Sequence, residues 1–338
     1  MSTTPDSLAS IPGFNPHQVR GCRLHGGKGL ELYASPERAL EVLEASVDGR
    51  SLLWSNPSGH LSRALGWLDH IEAFFTAGVE NVGPPAMGMP LHGTFSLRAA
   101  DDVQVGVDGE DAYVEGTIHC TDMVRGPYID VRRRVIALAD RAAFRIEDEV
   151  SARVDSQFMW LYHPNFPVQE GTRFVTAATQ VRARDAISNR DLKSYGKFVS
   201  VNRGIANMPP DCSAEQNFEC CFFIDPIECD QGSVTALLID SDGNAATRIR
   251  YSGDFDEFQS QLILWKNPRG GVCGIERGNL PIGREEAANR NTISVAKSNQ
   301  MRRYQAEVDF IQGQENVDAA EKELVGLQQD QVRLLVAE

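Results

Sequence analysis

The chain has 338 residues, of which 42% are hydrophobic and 24% are charged, an ordinary composition for a globular protein that can bury a sizeable core. Its formal net charge is −14, which makes nucleic acids and anionic membrane surfaces poor partners because both repel an acidic surface. A neutral, hydroxyl-rich small molecule is not repelled. The sequence has no run of about 18 consecutive apolar residues, so it predicts no membrane span.

The cysteines and the N-terminus favour a cytoplasmic location. The seven cysteines are an odd number without paired C-x-x-C spacing, as expected of free thiols in a reducing compartment. The start of the chain lacks the basic residues and apolar core of a signal peptide. Residues 1–14 are predicted to form a loose arm.

From residue 15 the chain alternates short apolar segments with turn signals. Asp48-Gly49 and Asp108-Gly109 are typical of tight hairpins, and residues 39–47 between turn signals are predicted to form a strand. Residues 55–94 are predicted to form a long functional loop ending at His92-Gly93. The run Arg132-Arg133-Arg134 is interpreted as the exposed flank of a strand near a sheet edge.

This pattern continues to residue 312, with roughly fifteen or more strands and few helices. It predicts an all-β fold in one large domain, residues 15–312, built as an antiparallel β-supersandwich of two twisted sheets. No short internal repeat of the propeller kind is present.

Residues 313–338 are predicted to form an amphipathic C-terminal helix, with Val317, Ala320, Leu324, Leu327 and Leu334 on its apolar side. The helix could pack on its own domain or form a homo-oligomer contact with a second copy. The short repeat and the polar Gln331 within the stripe favour packing on its own domain.

The stretch from Gln157 to Phe166 is a candidate site, because an apolar strand ends there in His163, Pro164 and Asn165. A rigid strand end is a common platform for a reactive imidazole, although His163 taken alone is better explained as a structural core histidine. Glu276 ends a second apolar segment, where partial burial would raise its pKa as a general base requires. A salt bridge to Arg277 or Arg284 is the structural alternative.

Nucleotide and local metal motifs are missing, so no cofactor is predicted. The sequence has no P-loop and no Gly-x-Gly-x-x-Gly after a strand, and no two histidines have metal-ligand spacing. A metal site assembled from His92, His163 and Glu276 on distant strands stays open.

Three motifs carry a resemblance to galactose-mutarotase-like proteins: Leu91-His92-Gly93, the segment from Leu161 to Phe166, and Gly274-Ile275-Glu276. Their order and spacing are most similar to the aldose-1-epimerase-like branch whose members mostly lack an assigned substrate. Weaker matches are Gly66-Trp67-Leu68, residues 78–83, residues 219–225 and Trp265-Lys266. The resemblance covers about residues 15–312.

The resemblance implies an isomerase that acts at the anomeric carbon of a sugar or sugar derivative. His163 would be the general acid and Glu276 the general base. Substrate contacts are implied for the following residues: His92, Asn165, Glu219, Lys266, Arg38 and Trp67. The mechanism is expected to require that the imidazole and the carboxylate face each other across an open pocket at about 5–8 Å, a spacing taken by analogy from paired acid/base sites.

The sequence also departs from the mutarotases proper. No arginine follows Asn81, and Pro164 follows His163 where many mutarotases have Ser-Tyr. Two alternatives therefore stay open on the same fold: a non-catalytic carbohydrate-binding or regulatory protein, and an isomerase or lyase of an oxidised sugar.

Overall fold

A computed structural model describes residues 19–55, 73–124, 126–192, 219–229, 232–255, 261–267, 270–279 and 283–337. The strands of this part of the chain are, in order, β1 (Cys22–His25), β2 (Leu30–Ser35), β3 (Glu41–Val47), β4 (Arg50–Ser51), β5 (Phe74–Val79), β6 (Asp101–Asp108), β7 (Asp111–Asp122), β8 (Gly126–Ala137), β9 (Ala143–Ala152), β10 (Ser156–Gln157), β11 (Met159–Pro167), β12 (Arg173–Thr176), β13 (Ala178–Ala183), β14 (Cys220–Pro226), β15 (Val234–Ile239), β16 (Ala245–Gly253), β17 (Leu262–Asn267), β18 (Val272–Gly278), β19 (Val295–Ala296), β20 (Met301–Gln312) and β21 (Arg333–Leu335). The helices are α1 (Ala186–Leu192), α2 (Arg284–Asn289) and α3 (Gln314–Leu327).

Two large sheets contain nearly all of these strands. The large sheet has eleven strands in the order β1-β2-β3-β5-β11-β18-β17-β14-β13-β21, with β4 paired to β3. The small sheet has eight, in the order β12-β15-β16-β20-β9-β8-β7-β6. Apart from the parallel β13–β21 pair, the neighbouring strands of both sheets are antiparallel. The predicted all-β architecture is confirmed.

The main core lies between the two sheets and explains why they pack face to face. It joins large apolar side chains of both sheets, such as Phe74 and Trp160 from the large sheet and Phe144 from the small one. A second apolar cluster includes Phe75, Leu161 and Ile263; its strand residues all belong to the large sheet, and Ala287 of α2 packs with them. It therefore lies on the outer face of the large sheet, away from the small sheet.

One central strand was not predicted. Phe74–Val79 lie within the segment interpreted as a loop, but they form β5 between β3 and β11. All six residues are buried, because Phe74 faces the main core and Phe75 faces the outer cluster. A strand buried on both sides lacks the apolar/polar alternation by which a half-exposed strand is found.

The arginine run at 132–134 is also placed differently from the prediction. Strand β8 lies between β7 and β9, not at an edge, and Arg133 is 0% exposed. Its guanidinium donates to both carboxylate oxygens of Asp148, at 2.8 and 3.0 Å, and to Thr76 Oγ1 at 2.7 Å. Because Thr76 belongs to β5, this ion pair joins the small sheet to the centre of the large one.

The C-terminal helix is shorter than predicted and is followed by a strand. Helix α3 ends at Leu327. The side-chain amide of the next residue, Gln328, forms two hydrogen bonds with the backbone of Ala178, as a neighbouring strand would: Oε1 accepts from Ala178 N–H and Nε2 donates to Ala178 O, both at 2.9 Å. Residues Arg333–Leu335 then pair with β13. The apolar side of α3 packs on the outer face of the small sheet, where Val317 and Leu324 join Val175.

The predicted arm at residues 1–14 lies outside the described residues. No helix in the described part of the chain has the length and apolar character needed to cross a membrane.

Candidate active site

His163 and Glu276 lie on the outer face of the large sheet. Along β11, Trp160 and Tyr162 face the main core, whereas Leu161 and His163 face outward. Both candidate residues lie inside their strands, β11 and β18, and not at strand ends as predicted. Such positions hold a side chain more rigidly than a loop does.

The backbone register aligns six outward side chains across six neighbouring strands. Leu161 lies opposite Gly278 and Asn165 opposite Gly274, which puts His163 opposite Glu276. On one side, Phe75 of β5 lies opposite His163. On the other side, the line continues from Glu276 through the three next strands, β17, β14 and β13. We call it the acid–base row; it consists of Phe75, His163, Glu276, Ile263, Phe223 and Arg182.

The imidazole and the carboxylate are in direct contact. Nε2 of His163 lies 3.3 Å from Oε1 of Glu276, and the two residues are 3% and 4% exposed. The expected separation of about 5–8 Å is therefore wrong for this structure. The reason is the strand order: side chains directly opposite on adjacent antiparallel strands have Cβ atoms only about 5 Å apart.

Burial favours the neutral forms of both groups. Burial lowers the pKa of His163 well below its usual value, and the nearby His92 adds to this effect. Burial raises the pKa of Glu276 to about 8. These shifts favour a neutral imidazole beside a protonated carboxyl group, so at neutral pH the pair as a whole holds one acidic proton.

Aromatic rings fix the orientation of the imidazole. Phe75 stacks on it with ring centroids 4.4 Å apart and an interplanar angle of 23°, and Trp265 approaches at 6.0 Å and 60°. These contacts remove water from the imidazole and hold Nε2 toward Glu276. Phe75, and not its neighbour Phe74, is the ring in the site, because Phe74 faces the main core.

His92 reaches the same place from the loop that follows β5. Its ring is perpendicular to that of His163, with centroids 5.5 Å apart, and it also contacts Phe75. Nδ1 of His92 accepts a hydrogen bond from Gly83 N–H at 3.3 Å. Neutral His92 therefore carries its proton on Nε2, where it can donate to a ligand.

Glu80 anchors the loop that carries His92. Its carboxylate accepts from Thr94 N–H and Thr94 Oγ1, both at 3.1 Å, and from Arg98 at 2.8 Å. Gly93 follows His92 with φ of +74°, and a Cβ atom there would lie 2.4 Å from Gly78 O. Only glycine allows this loop to cross so close to β5.

Gly274 leaves the space into which the pair extends. It lies between Asn165 and Trp265 in the sheet, on the same face as Glu276. A Cβ atom at this position would lie 2.8 Å from Oε1 of Glu276 and 3.2 Å from Cε1 of His163. Asn165 is 0% exposed and shares this face with His163, so the structure brings it to the site.

Glu219 lies at the periphery of the site, whereas Lys266 points to the other face of the sheet. Glu219 accepts from Trp265 Nε1 at 2.7 Å and from Arg184 at 2.5 Å, so it belongs to the periphery of the site. Lys266 points to the other face of β17 from Trp265 and forms a buried ion pair with Asp191 at 2.6 Å. The structure thus does not bring the Lys266 ammonium group to the face that carries His163.

The two remaining predicted contacts are Arg38 and Trp67. Arg38 is 3% exposed in the turn between β2 and β3, and the backbone of this turn is hydrogen-bonded to the segment 95–100. Trp67 lies outside the described residues. In the part of the chain that the structure describes, no three or more His, Cys, Asp or Glu side chains group together as metal ligands.

A family model that matches most of the sequence identifies the family. The model of the family described as a domain of unknown function, DUF4432, matches residues 17–310. The chain belongs to this family. None of the curated protein sequences matches it.

Solved structures show that this DUF4432 chain has the galactose-mutarotase-like fold. A "putative aldose 1-epimerase" from Klebsiella pneumoniae is 18% identical with a TM-score of 0.77, covering 95% of this chain and 86% of that one. Galactose 1-epimerase from Lactobacillus acidophilus is 12% identical with a TM-score of 0.62, covering 92% and 100%. The Slr1438 protein from Synechocystis is 15% identical with a TM-score of 0.61, covering 89% and 100%. The resemblance in fold that the sequence motifs suggested is confirmed.

Proposed function

We propose that this protein is a sugar isomerase of the aldose 1-epimerase type, with His163 and Glu276 as its acid/base pair. The observation that carries the proposal is the buried contact of 3.3 Å between the imidazole and the carboxylate. Paired ionisable groups whose pKa values are shifted by burial are more common at functional sites than in ordinary cores. The names of the similar structures point to the same class of reaction.

The reaction requires one donor and one acceptor at a single carbon atom. Glu276 takes the proton of the anomeric hydroxyl while Nε2 of His163 gives a proton to the ring oxygen. The bond between the anomeric carbon and the ring oxygen breaks, and a carbonyl forms at the anomeric carbon. After rotation of this carbonyl the ring closes on its other face, and the two residues exchange their roles.

The short contact is compatible with these roles because the two sugar oxygens share one carbon atom and lie close together. Burial raises the pKa of Glu276 and so favours its protonated form. Transfer of this proton to His163 across the 3.3 Å contact prepares the acid and the base together. The pair remains neutral overall, so no uncompensated charge has to be buried.

The residues around the pair suit a sugar. His92 presents its Nε2 donor next to His163, and Asn165 supplies an amide on the same face. Trp265 provides a half-buried aromatic surface for the apolar face of a pyranose. We assign His92 and Asn165 to substrate binding and Trp265 to the floor of the site.

The test is anomer exchange measured by NMR magnetisation transfer over a panel of aldoses, with the spontaneous rate subtracted. Glu276→Gln should lower the catalysed rate about a hundred- to ten-thousand-fold, the range that a general base contributes. Glu323→Gln, an exposed position on α3, is the matched control and should leave the rate unchanged. Equal rates for wild type and Glu276→Gln would refute the role of Glu276.

A non-catalytic sugar-binding protein is the second candidate. The observation in its favour is that Nε2 of His163 lies only 3.3 Å from Oε1 of Glu276, closer than the separation of about 5–8 Å expected of paired acid/base groups. Titration calorimetry with the same panel separates the two candidates. Binding without acceleration of anomer exchange would favour the binding protein.

A further inference from the structure

The acid–base row continues beyond Glu276 to a cationic side chain that has no role in the proposed isomerase reaction. Ile263 lies opposite Glu276, Phe223 opposite Ile263, and Arg182 opposite Phe223. All of these side chains lie on the outer face of the large sheet. The row therefore has a proton-transferring end, an apolar middle and a cationic end.

Arg182 is held by an aromatic ring and not by a carboxylate. Its guanidinium carbon lies 4.5 Å from the centroid of the Phe223 ring, a cation–π arrangement that leaves the edge of the guanidinium available for hydrogen bonds. Among the described residues, none forms an ion pair or hydrogen bond with this guanidinium.

The carboxylates around Arg182 are bonded to other donors. Glu219 and Asp185 both bind Arg184, at 2.5 and 2.8 Å. Asp225 accepts from the side-chain amides of Gln180 and Gln261. Arg184 is thus the neutralised arginine of this region, and Arg182 is the one whose charge is available to a ligand.

We infer that Arg182 binds an anionic group, a phosphate or a carboxylate, on the sugar that reacts at His163 and Glu276. This inference rests on the proposed function. The guanidinium lies over β14, two strands from β18, so about 10 Å separate it from Glu276 at a strand spacing of about 4.8 Å. One sugar ring with an exocyclic anionic group covers this span.

The chemistry of the row fits such a ligand. The anomeric carbon lies at Glu276, the apolar face of the ring lies over Ile263 and Trp265, and the anion receives two parallel hydrogen bonds from Arg182. Planar, bidentate binding of phosphate or carboxylate is the characteristic use of arginine. A free cation also offsets the repulsion that an anionic sugar meets at an acidic protein surface.

Titration calorimetry tests the inference without requiring turnover. The probes are glucose and galactose, each compared with its 6-phosphate and with its uronic acid. We expect at least one anionic member to bind wild type about tenfold or more tightly than its neutral parent, as a charge-assisted hydrogen bond provides. The phosphate and uronate arms show which anion the site accepts.

Arg182→Gln should remove this preference, lowering affinity for the anionic sugar about ten- to a hundredfold relative to its neutral parent. The matched control is Arg132→Gln, an exposed arginine on the small sheet, which should keep the preference. Equal affinity of wild type for neutral and anionic sugars, or a preference that survives in Arg182→Gln, overturns the inference. So does a lack of binding to every anionic probe.

Failure of the proposed function has a different signature. If wild type and Arg182→Gln differ in binding anionic sugars but neither accelerates anomer exchange, the isomerase proposal fails and the anion site stands. If anomer exchange of neutral sugars is catalysed and depends on Glu276, while Arg182→Gln changes neutral and anionic sugars equally, the isomerase proposal stands and the anion site fails.

Discussion

Nε2 of His163 lies 3.3 Å from Oε1 of Glu276, and the two residues belong to adjacent strands, β11 and β18. They are 113 positions apart in the sequence. Neither side chain would be stable as a buried ion alone, but together they hold one proton and stay neutral. The contact therefore lowers the free-energy cost of burying the two groups, and it also places an acid directly next to a base.

The shared proton predicts a bell-shaped pH profile for the catalysed anomer exchange. Raising the pH removes the proton from the pair, and since burial raises the pKa of Glu276 to about 8, kcat/KM should fall above about pH 8. Lowering the pH adds a second proton, and since the pKa of His163 is lowered well below its usual value, the acid limb should lie below the ordinary histidine range. The two limbs belong to the pair as a whole.

Initial rates in overlapping buffers, corrected for spontaneous exchange at each pH, check this profile. The residual activity of Glu276→Gln should lack the alkaline limb, because glutamine does not titrate. An acid limb centred on the pKa of a free imidazole would contradict the burial argument.

Gly274→Ala should reduce activity while the fold persists. The added methyl group would lie 2.8 Å from Oε1 of Glu276, and the flexible end of that side chain can move away at little cost to folding. The displaced carboxylate no longer meets the sugar correctly, and a shift of about 1 Å can cost about a hundredfold in rate. Anomer exchange and thermal unfolding measured on the same sample check both halves of this prediction.

Gly326→Ala is the matched control for that experiment. No atom lies within 4 Å of the Cβ position at Gly326, and this glycine is in helix α3, far along the chain from the site. It should keep full activity and slightly raise stability, since alanine favours a helix by about 1 kcal/mol over glycine. An active Gly274→Ala protein would show that the position of Glu276 does not limit the reaction.

The sequence predicted the half-exposed strands well and the doubly buried strand poorly. Strand β7 alternates buried and partly exposed residues along most of its length, and this period of two is visible in the amino acids alone. Strand β5 is buried on both sides because its outward side chains line the site. It therefore lacks the alternation of apolar and polar residues that marks a half-exposed strand, and its sequence was interpreted as part of a loop. The unpredicted strand supplies Phe75, the ring that stacks on His163.

The site could be predicted only in part for a related reason. The motifs indicated His92, His163 and Glu276 individually, but the order of strands in a sheet is decided by long-range packing. Strand alternation permits only one of Trp265 and Lys266 to face the site, and the sequence does not say which. The position of Arg182 at the end of the acid–base row depends on the register of four strand pairs, which no local pattern encodes.

Asp148→Asn should strongly destabilise the protein. Asp148 binds the buried guanidinium of Arg133 through both oxygens and accepts from Tyr162 Oη at 2.6 Å. Loss of its charge leaves Arg133 uncompensated between the sheets, and breaking a buried pair in this way costs about 3–5 kcal/mol. The free energy of unfolding in urea checks the loss.

The double variant Arg133→Met/Asp148→Leu tests the cause. It removes both charges, so most of the lost stability should return. Lys297→Ala breaks a pair in which both side chains are 53% exposed, and it should leave the free energy of unfolding almost unchanged. A double variant as unstable as Asp148→Asn would mean that packing of the arginine, and not its charge, is what matters.

Leu324→Ala tests whether α3 serves its own domain or a second copy of the chain. Leu324 is 2% exposed and packs with Val317 against the small sheet, so its truncation should cost about 2–5 kcal/mol. Its neighbour Val325 is 46% exposed, and Val325→Ala should change stability by about 0.5 kcal/mol or less. Because the contact is within one chain, the difference between the two variants should not depend on protein concentration. A difference that grows with concentration would show that the helix also contributes to an interface between chains, since dimer stability follows mass action.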